Sequence, residues 1–195
     1  MRKSCMKLIC ILLACAMSVF ASGCEKQYKK YEDGLYKDKY VRFTMPEDYI
    51  LAIDSTKEMG KLYKNFYTFK GEKDVSGNNI VYYTMAMGAD AVKIFADDDD
   101  KIVDRIKAQY RARDKSIAVY DFYRLDFEGY EGYFIYYGIG AFGTDIEQDE
   151  ARQASVTVVL FRKSDYAYST IVFSSTDREC EAQYLNCAKT VEPNI

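Results

Sequence analysis

The chain has 195 residues, with 27 Lys and Arg against 30 Asp and Glu, a formal charge of −3 at neutral pH, and no His or Trp. Without His, the chain cannot supply a Ser-His-Asp or Cys-His nucleophilic centre or a His-ligated metal. An acidic chain lacks the basic surface that nucleic acid requires, so no nucleic-acid partner is expected.

Arg2, Lys3 and Lys7 precede an apolar run from Leu8 to Phe20. A basic segment, a short apolar core and small residues make a cleavable secretory signal. The core of about 13 residues is shorter than the roughly 20 that cross a bilayer as a helix. Ala21-Ser22-Gly23-Cys24 closes the run. This stretch resembles the lipobox of bacterial lipoproteins, with Ala21 where a leucine is usual. The resemblance implies that the Cys24 sulfur receives a diacylglyceryl group and that signal peptidase II cuts between Gly23 and Cys24. Two acyl chains suffice for stable anchoring, at about 0.8 kcal/mol per buried methylene. The expected location is the cell membrane, lipid-anchored, with the domain on the extracytoplasmic side.

Cleavage leaves 172 residues and a charge of about −6, since three basic residues leave with the signal. That length fits one domain on a tether. The expected division is a signal peptide at 1–23, a tether at 24–38 and one globular domain at 39–195. Of six cysteines, Cys5, Cys10 and Cys15 leave with the signal and Cys24 is the anchor. Cys180 and Cys187 remain, in a stretch that reads as helix. Seven helical residues rise about 10.5 Å, beyond the roughly 7 Å that a disulfide bridges. A bridge would need the helix to start after Cys180; otherwise both are small buried hydrophobes.

Glu25 to Asp38 is charged and without apolar periodicity, hence the tether. Tyr40 to Pro46 reads as a first strand ended by proline, with Tyr49 to Ile53 as its partner or an extended return. Asp54 to Glu58 carries helix-start residues, predicting a short helix to about Lys61. Lys64 to Lys70 and Asn79 to Met87 read as a hairpin around Gly71 and Ser76-Gly77-Asn78. The run Asp97-Asp98-Asp99-Asp100 lacks the alternating ligands and mid-loop glycine of a calcium loop. It reads as the capping start of a helix whose face is Ile102, Val103, Ile106 and Tyr110.

From Ser116 the period becomes two. Ile117, Val119, Tyr123, Leu125 and Phe127 share a predicted face. Glu128 to Gly132 reads as a turn, and strands follow at Tyr133 to Ile139, Gln153 to Phe161 and Tyr166 to Phe173. The middle strands are apolar on both faces, so layers should cover both sides of the sheet. Asp177 offers a cap for an amphipathic helix through Cys180, Tyr184, Cys187, Ala188 and Val191, stopped before Pro193. Gly138-Ile139-Gly140-Ala141-Phe142-Gly143 matches the dinucleotide-binding glycine pattern, but its surroundings read as antiparallel. A bulge or close approach is the expected reading, and no cofactor is expected. Gly143 to Arg152 reads as an acidic solvated loop.

The order is therefore an opening strand ending Met45-Pro46, a hairpin, a helix, a four-strand meander entered through Gly129-Tyr130-Glu131-Gly132-Tyr133, and a closing helix after the hairpin Val156–Phe173. This resembles the PsbP-like superfamily, which includes extrinsic subunits of the photosynthetic oxygen-evolving complex, Ran-binding Mog proteins and exported lipoproteins of the DcrB type. The resemblance implies an α+β class and an α/β/α sandwich with a central, mainly antiparallel sheet. It implies no shared catalytic residues. The functional expectation is an anchored accessory or binding protein, not an enzyme, contacting a protein or small-ligand partner through a Tyr-rich surface. The alternative is a His-independent hydrolase using paired carboxylates. No catalytic, cofactor-binding or metal-binding residue is assigned.

Overall fold

A computed structural model describes residues 34–72, 77–88, 92–113, 115–141 and 153–195. The signal, Gly23, Cys24, most of the tether and the acidic loop at 143–152 lie outside the described residues. In chain order the elements are β1 (Leu35–Lys37), β2 (Val41–Thr44), β3 (Tyr49–Asp54), β4 (Tyr63–Gly71), β5 (Asn79–Ala86), α1 (Val92–Phe95), α2 (Asp99–Arg111), β6 (Lys115–Phe127), β7 (Tyr130–Ala141), β8 (Gln153–Arg162), β9 (Ala167–Ser175), α3 (Arg178–Ala188) and β10 (Glu192–Pro193).

Seven strands form one antiparallel sheet in the order β3-β4-β5-β9-β8-β7-β6. The meander β6–β9 follows sequence order, and β9 then pairs with β5 to join it to the first hairpin. A small sheet, β1-β2-β10, packs with α3 on one face. That core holds Phe43, Phe69, Tyr82, Phe134, Phe173 and Tyr184. On the other face, Phe95 of α1 and Ile102 and Tyr110 of α2 pack on Tyr133, Ile135, Val159 and Phe161. The α+β sandwich is thus present, with the small sheet added to one of its outer layers.

The meander, the hairpin β4–β5 and the helices α2 and α3 fall where alternation and helical spacing place them. Several local expectations need correction. Tyr49–Asp54 pairs with β4, not with β2. The tether region contains β1, which pairs with β2 and buries Tyr36 at 4% exposure. No helix forms after Asp54. Instead the Asp54 carboxylate accepts from the Thr56 N–H and the Thr56 hydroxyl accepts from the Phe66 N–H, so local side-chain bonds hold a turn.

β6 carries a bulge between Val119 and Asp121. Ile117, Val119 and Phe122 pack on the α2 side, whereas Tyr120, Leu125 and Phe127 pack on the α3 side. One extra residue reverses the phase of a two-residue period, so the single predicted face from Ile117 to Phe127 is split. Gly132 also lies inside β7 rather than in the preceding turn.

Gly138, Ile139, Gly140 and Ala141 lie in β7, paired antiparallel with β6, and Gly138 and Ile139 also pair with β8. This is not the strand-to-helix turn that a dinucleotide site uses.

Asp38 fixes the small sheet to the large one. Its carboxylate accepts from the Tyr40 and Val41 N–H groups at 2.8 and 3.0 Å, Tyr82 Oη at 2.7 Å, Asn65 Nδ2 at 3.0 Å and Tyr36 Oη at 3.1 Å. A hydroxyl chain continues from Tyr82 through Thr84 to Ser169.

Candidate functional site

The acidic run before α2 makes three ion pairs: Asp97 with Arg105, Asp98 with Lys101, and Asp99 with Arg124. Asp98 occupies the N-cap position, but its side chain makes no capping hydrogen bond. The carboxylates therefore act through the helix dipole and through pairs, rather than as the expected side-chain cap. Among the described residues, no group of three or more Cys, Asp or Glu is arranged to hold a metal ion.

A cleft of about 350 Å³ opens where β3 begins, β4 and β9 end, and α3 starts; Asp48, Tyr49, Gly71, Asn78, Asp177, Glu179, Cys180 and Gln183 line it. Asp177 sits between Ser175 and α3, in extended backbone at the N-cap. Its Oδ1 accepts from the Cys180 N–H at 2.8 Å, and its Oδ2 accepts from Asn78 Nδ2 at 2.8 Å. Asn78 is buried at 6% exposure, and its Oδ1 accepts from the Thr176 N–H at 2.9 Å. The Cys180 N–H first, and the Asn78 amide second, hold the Asp177 carboxyl below the usual carboxylate range. Both carboxylate oxygens are thus engaged by the fold.

Behind the cleft, the Tyr49 and Tyr184 hydroxyls are hydrogen bonded and their rings meet edge to face at 6.0 Å. Burial pushes the Tyr184 phenol up, with Tyr49 adding to the effect. The Cys180 thiol is pushed up chiefly by burial, and so is the Cys187 thiol. Because α3 begins at Arg178, both cysteines lie in one continuous helix and both are free thiols.

These states limit the chemistry. A thiol with a raised pKa is a poor nucleophile near neutrality. A carboxyl held low is a poor general acid. The tyrosines do not form the expected contact surface either. Among the described tyrosines, only Tyr123 and Tyr166 are exposed, at 36% and 39%. Most of the others are buried, including Tyr110, whose hydroxyl pairs with that of Tyr137 at 2.9 Å.

Gly23 and Cys24, the site residues assigned from sequence, are outside the described residues, and of the other residues discussed there the cleft holds the helix cap Asp177 and the thiol Cys180. Only the cap at Asp177 was readable there. Asp48, Asn78 and Glu179 come from separate segments that the antiparallel pairing brings to one end.

No family model matches the chain, and no curated protein matches it. Among solved structures, it is similar to the solution structure of cyanobacterial PsbP (CyanoP) from Synechocystis sp. PCC 6803, at 13% identity and a TM-score of 0.56, covering 91% of this chain and 98% of that one. The fold is therefore PsbP-like.

Proposed function

We propose that this chain is a membrane-anchored, extracytoplasmic accessory protein that binds a protein or small-ligand partner and catalyses no reaction of its own. The observation that carries this reading is the state of the cleft. Its capping carboxylate serves Cys180 and Asn78, its buried phenols serve each other, and its thiol is kept protonated. With these buried groups committed to architecture, the domain is left to act through the shape and charge of its outer surface.

Anchoring is supported by the sequence Ala21-Ser22-Gly23-Cys24. Gly34 lies ten Cα steps beyond Cys24, a reach of at most about 36 Å. The Gly34 carbonyl accepts from the Met45 N–H at 2.8 Å, at the same end of the sheet as Asp48 and the cleft. An anchor at Cys24 would therefore hold the cleft end near the bilayer.

The test combines fatty-acid labelling with fractionation of cells that carry the wild type or Cys24→Ala. The expected result is label and membrane residence for the wild type, and loss of both in the variant. A membrane-bound, normally processed Cys24→Ala protein would reject the anchor. Turnover of a glycan or ester panel by the purified chain would reject the accessory role.

A further inference from the structure

We propose that the outer edge of β6, after its bulge, is a pairing surface for an extended protein segment that carries basic side chains. β6 is the last strand of the seven-stranded sheet, and among the described residues β7 is its only neighbour there. The bulge between Val119 and Asp121 ends one register, and Asp121–Phe127 then pairs with β7 without a break. This run extends about 23 Å, and the backbone N–H and C=O groups on its outer side have no strand to pair with. The opposite edge offers no such run, since β3 is shorter and its register shifts between Leu51 and Ile53.

Side chains on both faces of the run are open to a partner. Toward α3, Asp121 and Tyr123 are exposed, and Leu125 and Phe127 are half-buried. The Tyr123 ring lies flat on Phe134, with 4.6 Å between centroids. A ring held this way meets a cation or an apolar side chain at little entropic cost. Toward α2, Asp126 is exposed and stands directly opposite Glu131 of β7. Like charges in that position destabilise a strand pair. Glu131 is compensated by Lys163 at 2.7 Å, whereas Asp126 makes no ion pair among the described residues. A carboxylate kept on an edge against a second carboxylate points to a cation from outside the fold.

Charge selects the occupant. Asp121, Asp126 and Glu128 are exposed along this edge. Arg124, between them, is committed to Asp99 and to the Phe95 and Asp97 carbonyls. Lys107 of α2 is outnumbered by the carboxylates, and Arg111 and Lys115 lie beyond the bulge. A second copy of this chain does not fit, because two β6 edges would set these carboxylates against each other. Nucleic acid and anionic lipid are repelled for the same reason. A basic strand fits. Its backbone completes the edge, and its Lys or Arg side chains meet Asp121 and Asp126. The edge names a partner for the accessory role proposed above and rests on that role; the anchor is not involved.

The test titrates the full-length protein, in detergent micelles, with a fluorescent peptide of alternating Lys and Val. Its controls are the Glu-Val counterpart and a Lys-Val peptide with central prolines, which keeps the charge but cannot pair as a strand. The Lys-Val peptide should bind and the other two should not. Asp121→Lys and Asp126→Lys should each weaken binding about tenfold. Glu72→Lys, at the cleft end, should have no effect. Removing Asp126 relieves its opposition to Glu131, so the thermal midpoint of Asp126→Lys should stay level or rise while binding falls, which separates lost contact from lost folding. Peptide binding should slow hydrogen exchange at the outward amides of Asp121–Phe127 and not in β3. Equal binding of the Lys-Val peptide and its proline form, binding of Glu-Val, or unchanged affinity in the two Lys variants would overturn the proposal. So would a lowered midpoint for Asp126→Lys, or protection confined to β3. Failure of the accessory role shows separately, as turnover of the glycan or ester panel.

Discussion

Replacing Asp177 by Ala separates a structural carboxylate from a functional one. The side chain caps α3 by accepting from the Cys180 N–H, and it also accepts from the buried Asn78 amide. Loss of an N-cap costs about 1 kcal/mol. Leaving the Asn78 Nδ2 without its acceptor costs about 1–3 kcal/mol more. The sum is about 3 kcal/mol, which at this chain size lowers the thermal midpoint by about 6–12 °C. Urea unfolding followed by circular dichroism measures it, with an unchanged m-value showing that the comparison is between like states. Asp177→Asn keeps a capping oxygen but sets an amide NH2 against the Asn78 amide, so it should recover only the capping part, about 1 kcal/mol, whereas Glu179→Gln should change stability by less than about 0.5 kcal/mol. Because the folded carboxyl titrates below its ordinary value of about 3.9, the stabilisation is complete above that value. It is lost as the pH falls through the lowered one. The gap between wild type and Asp177→Ala should therefore narrow below about pH 4. A loss under about 0.5 kcal/mol at neutral pH would refute the structural assignment and return Asp177 to the pool of groups free for ligand chemistry.

Gly132→Ala should be as costly for a different reason. A Cβ there would lie 2.1 Å from the Val159 carbonyl oxygen, backbone that cannot move aside without parting β7 from β8. A loss of about 3 kcal/mol, the upper end for overpacking, is expected in the same urea assay; a neutral variant would mean that the strands stand further apart than described. The two thiols offer a chemical check. With both free and both pKa values raised by burial, a thiol reagent at neutral pH should label them more slowly than free cysteine. Unfolding in urea should release both. Rapid labelling of Cys180 in the native protein would contradict the protonated thiol on which the non-catalytic reading depends.

What the sequence exposes is what repeats locally. The two-faced apolar runs of β7, β8 and β9, and the spacing of Ile102, Ile106 and Tyr110, survive into the structure because a sheet buried between layers and a helix resting on it leave those local patterns. β1 is invisible because three residues with one buried ring, Tyr36, make no period. The phase reversal at Tyr120 depends on how β6 registers against β7, which no window within β6 contains. Gly132 shows the same limit: a glycine flanked by Glu131 and Tyr133 reads as a turn until β8 is seen to approach it. The cleft was least legible, since Asp48, Asn78 and Asp177 meet only after β5 pairs with β9. The abundance of tyrosine was ambiguous, open to a contact surface or, more readily for any single ring, to packing in the sheet; phenols such as Tyr82, Tyr137 and Tyr184 spend their hydroxyls inside the sandwich.

The antiparallel topology gives the molecule two unlike ends. Hairpin turns at one end bring together Leu62 and Tyr166 near the ion-paired acidic start of α2, while the other gathers the exposed Glu47, Asp48, Glu72, Asp177 and Glu179 near the root of β1. Under the proposed anchoring, the acidic end is the one nearest the bilayer. An anionic membrane surface repels it only within a Debye length, about 8 Å at physiological salt. The tether reaches several times further, so its length permits the domain to stand clear of the repulsion. Repulsion at the near end then favours an orientation in which the domain stands off the membrane on its tether. Shortening the linker between Cys24 and Gly34 would draw the acidic end into the repulsive zone, so membrane association of the labelled protein should weaken in cell fractionation; unchanged association would refute the repulsion.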